Sequence, residues 1–76
     1  MGDLNTRIGY EMRTQRLNRR KTLTEVAKMI GKSKNAVSCW ELGQTQITVE
    51  DLVTYCNALG CDWIEVLKSA SESEGD

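Results

Sequence analysis

Three thiols and no imidazole set the first limit on the chemistry open to this chain. Cys39, Cys56 and Cys61 are 17 and 5 residues apart, and the 76 residues include no His. Neither spacing is a Cys-x-x-Cys pattern, so no zinc or redox motif is present and no metal or cofactor is expected. An odd number of cysteines argues against a secreted disulfide framework and for free thiols in a reducing cytoplasm, with a redox sensor as the other reading. Catalysis is not expected: there is no acidic pair set for a cleft and no glycine-rich phosphate loop. A different cluster is more productive. Lys34, Asn35, Ser38 and Cys39 are offset by 1, 4 and 5 positions. On a helix those offsets share one face. That face offers an ammonium, a carboxamide, a hydroxyl and a thiol.

Charge is divided along the chain. Residues 1–46 hold nine Lys or Arg against four acids, while residues 47–76 hold one Lys against seven. A net charge of −1 therefore conceals a basic half that can face an anion and an acidic half that can face water or a partner. No apolar run approaches the length of a membrane span, and the N-terminus lacks the apolar core of a signal peptide. A cytoplasmic protein without membrane contact is the expectation.

Short helices must position the polar face. Ile8, Met12 and Leu17 give helical periodicity from Asn5, ending near Arg19 to Lys21, with residues 1–4 frayed. Thr22 followed by Glu25 is a capping-box signature, and Val26, Ala27, Met29 and Ile30 continue that helix to Gly31. Ser33 caps a third helix with Val37 and Trp40 inward, and Gly43 stops it. Thr48 caps a fourth, with Val49, Leu52, Val53, Cys56 and Leu59 as its apolar stripe and Gly60 at its end. Asp62 opens a fifth, with Trp63, Val66 and Leu67 inward, to about Lys68. The predicted class is all-α: a five-helix domain over residues 1–68. Residues 69–76, SASESEGD, read as a disordered acidic tail or the start of a linker to a further C-terminal domain.

The segment 23–42 carries a mechanical pattern. Two helices that cross steeply need a small residue at the crossing, supplied by Ala27, and a turn residue that accepts a left-handed conformation, supplied by Gly31. Val26, Ile30, Val37 and Trp40 can hold the angle from inside. That is a helix-turn-helix, whose second helix lies in the major groove of DNA.

With these landmarks the chain resembles the lambda repressor and Cro class of DNA-binding domains, the XRE-type regulators. The resemblance runs from Ile8 to Leu67. It rests on Ile8-Gly9, Met12, Arg16, Val26-Ala27, Gly31, Ser33, Val37, Trp40-Glu41 and Gly43, and then on Thr48-Val49-Glu50, Leu52, Ala58-Leu59-Gly60 and Val66-Leu67. The Trp40-Glu41 pair is similar to that of phage repressors.

The resemblance implies a role for each matching position. Lys34, Asn35, Ser38 and Cys39 fall where such regulators read base edges. Lys can donate to guanine, Asn can pair bidentately with adenine and Ser can serve either, while a thiol departs from the pattern. Phosphate contacts are expected from Thr22, Lys32, Ser33, Gly43, Gln44, Thr45 and Gln46. Arg16 and Glu41 match positions that form an ion pair between the first and third helices. Leu23 departs from the pattern, so either it packs in the core or the second helix starts later with Thr24 as cap. Double-stranded DNA is the implied partner. Binding as a homodimer on a palindromic operator is the expectation, with Trp63 and Ile64 of the fifth helix expected at the dimer interface. A transcriptional repressor is the leading reading. An XRE-type antitoxin or protein-interaction module acting through a partner protein is the alternative.

Overall fold

The computed structural model describes residues 3–72 as five helices with short connections. They are α1 (Leu4–Asn18), α2 (Leu23–Ile30), α3 (Lys34–Leu42), α4 (Val49–Leu59) and α5 (Trp63–Glu72). No strand occurs among the described residues, and none of their helices is long and apolar enough to cross a membrane.

Every helix opens on a side-chain oxygen that takes up an amide left unpaired in the first turn. The Asp3 carboxylate accepts from the Thr6 N–H at 2.9 Å. Thr22, Ser33 and Thr48 accept from Glu25, Ala36 and Asp51 at 3.1, 3.0 and 3.1 Å. Asp62 accepts from Ile64 at 3.0 Å. The capping box at α2 is complete, since the Thr22 N–H donates to Glu25 Oε1 at 2.8 Å. Thr22 is therefore the cap, and Leu23 packs against the core. Replacing Ser33 with Ala leaves the Ala36 amide without its acceptor and should cost about 1 kcal/mol. Urea unfolding checks this as a lower midpoint at unchanged slope.

The ends of α1 and α5 differ from the sequence expectation. Asp3 and Leu4 belong to the ordered start of α1 and are not frayed, because Asp3 caps it. Met1 and Gly2 lie outside the described residues. The inward face of α1 is Ile8, Gly9, Met12 and Arg16, while Leu17 is 47% exposed. Steps of four from Ile8 reach position 16, so the buried stripe ends on a guanidinium instead of a leucine. In α5 the helix continues past Lys68 to Glu72. Ala70 lies one turn beyond Val66 on the inward face and is fully buried. Its carbonyl accepts from Arg7 Nε at 3.0 Å, tying α5 to α1. Polar composition concealed this turn, because its one apolar residue is small. The remainder of the expected tail, residues 73–76, lies outside the described residues.

Fully buried Met12, Val26, Val37, Leu52, Tyr55, Cys56 and Val66 form the centre of the core. In α4 the buried stripe is Leu52, Tyr55, Cys56 and Leu59, with Val49 left exposed at the first turn. Met29 of α2 is also exposed. The core lies between α1, α4 and α5 on one side and the α2–α3 pair on the other, so α3 rests on α1 and α2.

Candidate nucleic-acid interface

The turn from α2 to α3 is built by backbone geometry. Gly31 sits at φ 71°, and the Lys32 N–H returns to the Ala27 carbonyl at 3.0 Å. A side chain at Gly31 would meet no atom, so only the left-handed conformation demands glycine there. Ala27, buried at the crossing, lets the two helices approach, and Val26, Val37 and Trp40 fill the angle between them.

Those residues use one side of α3 and leave the opposite side free. Lys34 and Asn35 are exposed, and Ser38 and Cys39 are half-buried along the same face. Beside Lys34 opens a groove of about 450 Å³ whose lining includes Arg20, Lys21, Thr22 and Thr24. The groove lies at the start of α2. There the amides of Leu23 and Thr24 find no acceptor among the described residues, and the helix dipole is positive. Cations and free amides around one hollow are the chemistry that favours an anion. Glu25 shares that turn, but its carboxylate is folded back onto the Thr22 N–H, which holds its pKa below the usual carboxylate range.

The other phosphate candidates are more scattered. Ser33 is exposed at the start of α3. Lys32 lies 3.7 Å from Asp51 of α4, so its ammonium already has a carboxylate nearby. Gln44, Thr45 and Gln46 are exposed in the loop after α3. Asn5 Nδ2 steadies that loop by donating to the carbonyls of Gly43 and Thr45 at 3.2 and 3.3 Å. The Gly43 amide donates to the Trp40 carbonyl at 3.1 Å, and the Gln44 amide donates to the Cys39 carbonyl at 2.9 Å. Closing α3 consumes both donors, which leaves the loop side chains to meet an anion.

A buried polar network fixes α3 against the scaffold. Arg16 Nε and its terminal nitrogen donate to the two oxygens of Glu41, each at 2.9 Å. A second terminal nitrogen donates to the Lys21 carbonyl at 2.8 Å. Tyr55 completes the network: its hydroxyl lies 2.7 Å from Glu41 Oε2 and 2.9 Å from the Met12 carbonyl. Arg16 and Glu41 are each 6% exposed and Tyr55 is fully buried. Burial, then the hydrogen bond to Glu41, pushes the Tyr55 hydroxyl well above its ordinary pKa. The bidentate bond to Glu41 raises that of Arg16. One carboxylate therefore joins α1, α3 and α4. The resemblance implied an Arg16–Glu41 pair, but the sequence reading missed Tyr55. The signal was present, because positions 52, 55, 56 and 59 are the regular i, i+3, i+4, i+7 stripe of a helix.

The profile described as "Helix-turn-helix" matches residues 12–66. The chain belongs to the helix-turn-helix family. In a helix-turn-helix the second helix is the one that docks in the DNA major groove, and α3 holds that second position in the motif. The lambda repressor and Cro-like, XRE-type resemblance drawn from the residue landmarks points to the same family. No curated protein sequence matches the chain, but solved structures do. One crystal structure of the clp gene regulator ClgR from Corynebacterium glutamicum is 30% identical with a TM-score of 0.90, covering 96% of this chain and 95% of its own. A second ClgR structure gives the same identity and score over 95% of this chain and 77% of its own. The hypothetical transcription factor NHTF from Neisseria is 28% identical with a TM-score of 0.79, over 86% of this chain and 75% of its own.

Proposed function

We propose that this helix-turn-helix chain is a transcriptional regulator that binds a near-palindromic operator as a dimer and represses by occupancy. The observation that carries the reading is the uncovered Lys34–Asn35 side of α3 next to the cation-lined groove at the start of α2. In this docking the groove takes a backbone phosphate, and Lys34, Asn35 and Ser38 face base edges. Similarity to a clp gene regulator and to a hypothetical transcription factor supports a regulatory role. One nine-residue helix reads few bases, so a second copy one helical turn away supplies the rest of the site. Ile64, 56% exposed, and half-buried Trp63 offer apolar surface on α5 for that association.

Selection of bound duplexes from a random pool tests the reading, and a two-fold symmetric consensus is the expected result. Two substitutions divide the roles. Asn35→Ala should relax preference at one base position per half-site, at a cost of about 1–3 kcal/mol against the preferred base. Lys21→Ala should weaken all duplexes alike and make the salt slope shallower by about 0.9 for each phosphate it no longer neutralises. If both variants kept wild-type affinity, preference and salt slope, this docking would be wrong.

A further inference from the structure

The end of α4 brings two thiols together. The Cys61 N–H donates to the Cys56 carbonyl at 2.9 Å, and the Gly60 N–H donates to the Asn57 carbonyl at 3.2 Å. This paired closure is a Schellman turn, in which the residue after the glycine folds back over the residue five before it and their side chains commonly touch. Here both positions are cysteine, and both are free thiols. With standard bond lengths, a 2.9 Å link between that amide and that carbonyl keeps the two Cα atoms within about 6.8 Å. That is inside the span a disulfide bridges, roughly 4.4–6.8 Å. The two differ in access. Cys56 is fully buried, whereas Cys61 is half-buried, packed on the core and open to solvent on one side. Burial and the neighbouring Cys61 thiol push the Cys56 thiol up to about 12, so Cys56 keeps its proton, and its full burial leaves Cys61 as the sulfur that a peroxide reaches.

We propose that Cys56 and Cys61 are an oxidisable dithiol that a peroxide closes to an intrachain disulfide. The Cys61 thiolate attacks one peroxide oxygen. A sulfur–oxygen bond forms, the oxygen–oxygen bond breaks, and the departing hydroxide leaves as water with a proton from solvent. Cys56 sulfur then attacks Cys61 sulfur. The disulfide forms, the sulfur–oxygen bond breaks, and the hydroxyl leaves as a second water carrying the Cys56 proton. Two thiols are oxidised and one peroxide is reduced. The product ties the last turn of α4 to the start of α5, the helix that carries Trp63 and Val66 to the core. This modification site is independent of the DNA-binding reading.

The test treats the reduced, folded chain with hydrogen peroxide and follows mass after blocking the remaining thiols. Cleavage after glutamate releases residues 51–65, a peptide that holds Cys56 and Cys61 but not Cys39. The expected result is a loss of about 2 Da in that peptide, reversed by dithiothreitol. The loss should be unchanged in Cys39→Ser and absent in Cys61→Ser. Three results would overturn the proposal: an unchanged peptide, a gain of oxygen on Cys61 without the bridge, or a linkage through Cys39. The wild-type measurement decides the matter even if a variant folds poorly.

Discussion

Gly9→Ala is expected to cost 3 kcal/mol or more, at or beyond the upper end of the usual ~1–3 kcal/mol for overpacking. A Cβ on Gly9 would lie 2.4 Å from the Trp40 carbonyl oxygen and 2.7 Å from that of Glu41. Both obstacles are backbone, so no rotamer change relieves them. Either α1 retreats from α3 or the last turn of α3 deforms. Both responses pull Arg16 and Glu41 apart, because Glu41 is in the strained segment. A domain of 76 residues has roughly 4–11 kcal/mol of stability, so a loss of about 3 kcal/mol removes between roughly a quarter and three quarters of it. Urea unfolding measures the loss. Asn57, exposed on α4, supplies a control: Asn57→Ala should move stability by no more than about 0.5 kcal/mol. A Gly9→Ala protein as stable as wild type would show that α1 and α3 do not approach this closely.

Much of this arrangement was legible in the sequence, for identifiable reasons. Caps at Thr22, Ser33 and Thr48 and stops at Gly31, Gly43 and Gly60 depend on local backbone chemistry, and each is where the residue type placed it. The outward side of α3 followed from helical spacing once Val37 and Trp40 were assigned inward. Close approach was less legible. Gly9 was a landmark of the resemblance, yet nothing in its neighbours says that a carbonyl from residue 40 sits where its side chain would be. The groove beside Lys34 was obscure for the same reason, since Arg20, Lys21 and Thr24 reach it only after α1 and α2 pack. Mixed residues misled in both directions. Leu17 and Val49 looked like core and are exposed, whereas Arg16 and Tyr55 are buried because their polar ends meet on one carboxylate. Periodicity identifies a face, but partner groups decide whether a polar tip can enter it.

Glu41→Ala is expected to destabilise the domain by about 3–5 kcal/mol, the usual cost of removing one member of a buried ion pair. The substitution strands the Arg16 guanidinium in the core and takes from Tyr55 one of its two acceptors. Tyr55→Phe should cost less, about 1.5–3 kcal/mol for a hydrogen bond to a charged group. Its hydroxyl should also leave a signature in pH. The Tyr55 pKa is raised in the folded chain, above an unfolded value of roughly 10, so the native state holds this proton more tightly. The stabilisation is present in full below pH ~10 and is lost as pH rises through the alkaline range. The stability gap between wild type and Tyr55→Phe should therefore narrow above pH ~10, which urea titrations at neutral and alkaline pH can detect. A double substitution separates strength from direction. Arg16→Met with Glu41→Leu replaces the pair by apolar groups and should recover much of the stability that Glu41→Ala forfeits. It removes the bidentate constraint between α1 and α3, so duplex affinity should stay low while the fold recovers. Affinity that rose in step with stability would mean that the network contributes only to folding, and that the packing of Val37 and Trp40 alone aims α3.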